Sequence, residues 1–187
     1  MMHSDVRYGR VTKVLHWTVF LLILNQFIVA AAMLNTAAED TTAGFTPGGL
    51  YNWHKSIGLI VLGVALLRYV WRKTAPLPDW APNLSNSERR AIHGIERTLY
   101  ACMFLMPVSG FLFVMSGGFG VNFFGRWDLL NFVGVNANVA FVSKWTHAAT
   151  ASLLAATLFA HWGVGIRHQW MHRDRYLHRM LPFTHQR

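Results

Sequence analysis

Residues 144–168, KWTHAATASLLAATLFAHWGVGIRH, decide how the rest of the chain is read. From Trp145 to Ile166 the stretch runs 22 residues without a charge, enough to cross a hydrocarbon core about 30 Å thick at about 1.5 Å rise per residue. His147 lies near its start and His161 near its end. Their separation of 14 residues, at about 100° each, comes within roughly 40° of four full turns, so both imidazoles leave one face of the helix, about 21 Å apart along its axis. A histidine inside a membrane is costly enough to be read as functional by default. A single one can also serve as an interhelical hydrogen-bonder. Two in register call for partners elsewhere in the chain.

Composition agrees with a membrane reading. The 187 residues are 53% hydrophobic and 13% charged, unlike a soluble globule. The one cysteine, Cys102, supports no internal disulfide, no CxxCH haem attachment and no zinc cluster. Any metal chemistry must therefore rest on histidine. The net charge of +9 matters through its placement rather than its size.

Taken in order, residues 1–13 are polar and basic, with Arg7, Arg10 and Lys13 ahead of a first span at about 14–34 that carries His16 at its near end. A basic segment before an apolar one also fits a secretory signal, although this run is long for a signal core. Residues 35–52 hold Glu39 and Asp40, three glycines and a proline but no Lys or Arg, and read as an outer loop. The second span, about 53–71, opens with His54, and Gly58 one turn on leaves room for a flat macrocycle or for plain helix packing. Residues 72–97 form a linker whose prolines interrupt any continuous helix. Ser85 and Glu88 have capping-box spacing, which predicts a helix from near Asn86 that becomes the third span, about 98–116, with a kink at Pro107. Residues 117–143 are rich in glycine and aromatics and read as an interfacial belt, or alternatively as a partner's docking face. The tail beyond Arg167 carries His168, His172, His178 and His185, expected, like His3, to be solvated near anionic headgroups.

Of the 17 Lys and Arg residues only Lys55, Arg126 and Lys144 fall outside the N-terminus, the linker with Arg68, and the tail. The positive-inside rule then sets both termini in the cytoplasm. The expected fold is all-α: one domain over residues 1–187, an up-down bundle of four transmembrane helices. With this topology His16 meets His161 at the inner depth and His54 meets His147 at the outer depth. Opposed imidazoles on facing helices are what a low-spin haem iron requires, one above and one below the porphyrin plane.

The order and spacing of several short motifs add a resemblance. RYGRVTKVLHW, WHKSIG with LLRYVWR, PVSGF, WTH fourteen residues before AHW, and LHRMLP together cover nearly the whole chain. The chain resembles the bacterial cytochrome b561 family, to which the b-type subunits of nickel-iron hydrogenases are related. The resemblance implies two b-type haems with axial ligands at His16, His54, His147 and His161. It also implies inner-membrane electron transfer between the quinone pool, ubiquinone included, and a one-electron partner: a periplasmic redox protein, superoxide or an associated dehydrogenase. His93 matches a histidine many members carry at the head of span 3, with a structural role or one near quinone or haem propionates. Arg7, Arg10, Lys13 and Arg68 are candidates for inner propionates, and Lys55, Arg126 and Lys144 for outer ones; ordinary interfacial anchoring explains the same residues.

Two other classes compete: a haem-bearing anchor subunit of a larger respiratory complex, and a transition-metal transporter using intramembrane histidines. None of the eight acidic residues lies inside an expected span, whereas a pump or antiporter usually needs a membrane carboxylate. Basic inner loops are explained by topology, so nucleic acid is not an expected partner.

Overall fold

The computed structural model describes residues 8–76, 78, 84–172 and 179–181. Arg7, His3, His178 and His185, with residues 77 and 79–83 of the proline-bearing linker, lie outside the described residues. Four long helices carry the fold: α1 (Arg10–Asn35), α2 (Pro47–Thr74), α3 (Asn86–Ser116) and α4 (Ala137–Arg167), the last running into a π-helical turn (His168–His172). All four are long and apolar enough to cross a membrane. A two-residue hairpin, β1 (Asn122–Phe123) with β2 (Trp127–Asp128), lies between α3 and α4.

Local chemistry explains the helix starts. Pro47 occupies the first turn of α2, where its missing N–H costs nothing, and the Thr46 side chain accepts from Gly49 N. Ser85 and Glu88 close a reciprocal capping box at α3. Asn136 caps α4 by accepting from the amides of Asn138 and Val139. Helix α4 therefore begins eight residues before the apolar run that marks the span, because Lys144 ends a hydrophobic stretch without ending a helix. α3 stays helical through Pro107.

The apolar centre draws on all four helices: Val19 and Ile23 from α1, Ala65 from α2, Cys102 and Met103 from α3, and Leu154 from α4. Main-chain packing is uneven. α3 lies along α4, α1 along α2, and α2 along α3, whereas no Cα of α4 comes within 8 Å of α1 or α2. Directly packed helices have axes only about 8–10 Å apart, so side chains fill two gaps beside α4.

One end of the bundle gathers both chain ends. Lys13 Nζ donates to the Leu181 carbonyl, and Trp17 Nε1 to the Met180 carbonyl. The other end gathers the loops: Lys55 Nζ donates to the Gly120 carbonyl, and Phe124 N to Ser56 Oγ. The tail departs from expectation at His168, which is 2% exposed rather than solvated. The π turn keeps this ring inside the fold, within electrostatic reach of Glu88.

Candidate functional site

The histidines on α4 meet partners across the two gaps. His16 of α1 and His161 of α4 have ring centroids 6.1 Å apart, with ring planes at 49°. His54 of α2 and His147 of α4 stand 6.3 Å apart, with planes at 78°. A metal–imidazole bond is about 2 Å, and a ring nitrogen lies about 1.2 Å from its ring centre. Two rings on opposite sides of one metal therefore stand about 6.4 Å apart, centre to centre. Both pairs have the spacing of a bis-imidazole iron site.

The donor set discriminates further. Among the described residues no three of His, Cys, Asp and Glu converge on one point. A bare zinc or copper ion asks the protein for three or four ligands. A haem iron takes four equatorial nitrogens from its own macrocycle and asks the protein for two.

Hydrogen bonding differs between the rings. His147 Nδ1 lies 2.9 Å from the Met106 carbonyl oxygen. A carbonyl only accepts, so Nδ1 carries the proton and a neutral ring presents a bare Nε2. Gly110 of α3 makes this approach possible, since a Cβ there would lie 2.9 Å from both Nδ1 and Cε1 of His147. Nδ1 of His16 and of His54 are buried with no hydrogen-bond partner among the described residues. These are polar atoms a bundle does not strand without reason.

Each pair has a flanking shell. At the end that gathers both chain ends, the charge of Arg68 reaches both His16 and His161, while its Nε donates to Tyr100 Oη at 3.3 Å. Beside it Arg72 grips Glu96 with two bonds, 2.7 and 3.2 Å long. His93 is half-exposed, 3.6 Å from the same carboxylate, so it belongs to this interfacial cluster rather than to either pair. Lys13 is buried and bonded to the tail, which gives it a structural partner; Arg10 is exposed.

At the opposite end the hairpin loop is fixed to α2 directly after His54, through Lys55 and Ser56. Phe124 adopts φ 51°, a conformation costly for a non-glycine residue, while its amide donates to Ser56 Oγ at 2.7 Å. Asn25 Oδ1 accepts from Trp53 Nε1, and Gln26 Nε2 donates to the His54 carbonyl, locking α1 to α2 around the turn that carries His54. The space beside Gly58 is taken by Gln26, whose Nε2 would lie 3.4 Å from a Cβ there; that glycine serves helix packing. An open cleft of about 470 Å³ lies between the hairpin and the first turns of α2, walled by Phe45, Trp53, Phe124 and Trp127, with Arg126 at its edge. The aromatics at this end thus pack on one another, Trp53 on Phe124 and Phe123 on Trp127. Lys144 is exposed on α4.

Sequence reasoning missed Met106, Ser56 and Gln26. Met106 acts through its main chain, which no side-chain pattern reveals. Ser56 and Gln26 were visible as polar residues in apolar helices, a signal of interhelical bonding.

Four membrane-length helices with histidines paired across the bundle define a b-type membrane cytochrome. Comparison with known proteins agrees. The family model for prokaryotic cytochrome b561 matches residues 7–183, and the chain belongs to that family. It is 26% identical over 182 residues to cytochrome b561 homolog 2 of Escherichia coli (strain K12), covering 96% of this chain and 93% of that one. The protein is accordingly a multi-pass bacterial membrane protein of haem b electron transfer.

Proposed function

We propose that the chain holds two b-type haems, the inner between His16 and His161 and the outer between His54 and His147. On this reading it passes electrons between a one-electron partner on the outer side and the quinone pool, ubiquinone included. The observation that carries the proposal is the pair of 6.1 and 6.3 Å ring spacings, each bridging a gap where α4 stands away from its neighbour. When bound, such a haem would be held by these histidines and would supply a one-electron iron couple.

The chain's residues do the rest. Two ligands on one helix, about 21 Å apart by helical rise, set one redox centre in each leaflet. The bond from His147 to Met106 keeps that ring a neutral donor with a fixed tautomer. Arg68 supplies positive charge beside the inner pair, suited to propionates. Lys55 and Arg126 sit at the outer end, Lys55 bonded to the loop and Arg126 at the aromatic cleft. The positive-inside distribution supports an inner-membrane location with both termini in the cytoplasm. The convergence of only two such ligands at each site among the described residues weighs against the transporter reading.

Rapid mixing of the dithionite-reduced protein with a short-chain ubiquinone tests the quinone assignment. The account expects reoxidation of the full haem band within seconds. A reduced protein that ignores quinone but is reoxidised by a dehydrogenase or soluble redox protein would favour the anchor-subunit role.

A further inference from the structure

The PVSGF segment of α3 lies against the outer histidine pair, and its geometry is more specific than simple packing. Three features meet at His147. Its Nδ1 is 2.9 Å from the Met106 carbonyl oxygen. The Nδ1–Cε1 edge of its ring lies against Gly110, where a single added carbon would come to 2.9 Å from both of those atoms, closer than Cβ atoms tolerate. Ser109 Oγ donates to the carbonyls of Leu105 and Met106 at 2.6 and 3.0 Å and stands 3.5 Å from Nδ1, too far for a good hydrogen bond. The ring's partner is therefore the main chain, and the absent side chain at 110 admits it. Other Gly residues of the spanning helices contrast with this: a methyl group added at Gly63 would meet nothing within 4 Å, and one at Gly58 would meet only an amide at 3.4 Å.

We propose that Gly110 and the Met106 carbonyl are the positioning pair for His147, fixing its ring orientation and holding it as the Nδ1–H tautomer so that Nε2 faces His54. The proposal rests on the reading of His147 as an outer haem ligand. Gly110 is a positioning residue: the three atoms nearest to a Cβ placed there all belong to His147. Its consequence is an asymmetry built into the protein: the outer site has one ligand anchored to main chain in advance, while Nδ1 of both His16 and His54 has no protein partner among the described residues. A ring that donates from Nδ1 is a more basic ligand at Nε2 and favours the oxidised metal. Pro107, one residue beyond Met106, keeps this turn of α3 distinctive, because it cannot donate to the Met103 carbonyl.

The test compares Gly110→Ala with Gly63→Ala and Ser109→Ala in the full-length membrane protein. Gly110→Ala is expected to weaken retention of one haem about 10–100-fold, in line with loss of an outer-shell partner. The remaining outer haem should titrate at a higher potential, with a changed low-spin ferric resonance, while the second haem is unaffected. The two controls should match the unmodified protein. A Gly110→Ala protein with both haems, both potentials and both resonances unchanged overturns the proposal. His147→Ala separates the failures: if it keeps both haems, the ligand reading fails; if it loses one while Gly110→Ala is silent, only the positioning claim fails. Should Gly110→Ala not accumulate, ¹⁵N-histidine spectra of the haem-free natural sequence decide. The resonance absent from His147→Ala must be that of an Nδ1–H ring with a bare Nε2, and an Nε2–H ring there overturns the proposal.

Discussion

His16 and His161 belong to the first and last transmembrane helices, yet their rings stand 6.1 Å apart across helices whose Cα atoms nowhere come within 8 Å of each other. The side chains, rather than helix packing, bridge that gap. His54 and His147 repeat the relationship at the opposite end of the bundle.

The pairing has a combinatorial signature. His16→Ala and His161→Ala should each lower the haem count from about two to about one per chain, and the double variant should remain at about one. Combining His16→Ala with His54→Ala should leave none. A pyridine haemochrome count across these four variants checks the scheme, and a double variant within one pair that loses everything would break it.

Topology gives an independent expectation. Alkaline phosphatase fused within residues 36–46 should be active, and the same reporter at the C-terminus inactive, because the Lys and Arg residues concentrate at the end holding both chain ends. The reverse pattern would turn the outer pair into the inner one.

The hairpin between α3 and α4 should depend on one hydroxyl. Ser56 is fully buried and accepts from Phe124 N while donating to the Asn52 carbonyl. Ser56→Ala leaves that amide without its acceptor, at a cost of about 1–3 kcal/mol. Hydrogen exchange at Phe124 should speed up about tenfold or more, with α2 itself unchanged.

A pH effect is expected at the head of α3, outside the membrane. The Ser85 amide and hydroxyl hold the Glu88 carboxyl below its ordinary value of 4.5, with desolvation opposing and Arg167 assisting. A depressed carboxylate contributes stability that is fully present above that ordinary value and is lost as pH falls through the lowered folded-state value. Amide protection in the first turn of α3 should therefore be flat from neutral pH down to about 5 and fall only in stronger acid. Ser85→Ala should move the decline toward the ordinary glutamate range; an unchanged profile would show that the cap does not set it.

The four helices were legible because hydropathy and charge placement are one-dimensional signals. So was the capping box, since Ser85 and Glu88 announce it by spacing alone. The histidine pairs were legible through depth: one helix carrying two rings in register limits where the partners can be. Other features depend on three-dimensional proximity. The Met106 carbonyl has no identity in a side-chain pattern, and the burial of His168 follows from a π turn that a basic tail does not foretell. The bond from the Lys55 ammonium to the Gly120 carbonyl is likewise a main-chain contact that no side-chain pattern announces. The early start of α4 was signalled by Asn136, a capping residue hidden by attention to hydropathy.

The measurement that bears most directly on the central claim is a dithionite-reduced minus oxidised spectrum of the purified protein with a haem count per chain. The account predicts two b-type haems, both low-spin in the oxidised and reduced states. A protein that binds no haem, and instead carries zinc or copper on these histidines, would contradict it.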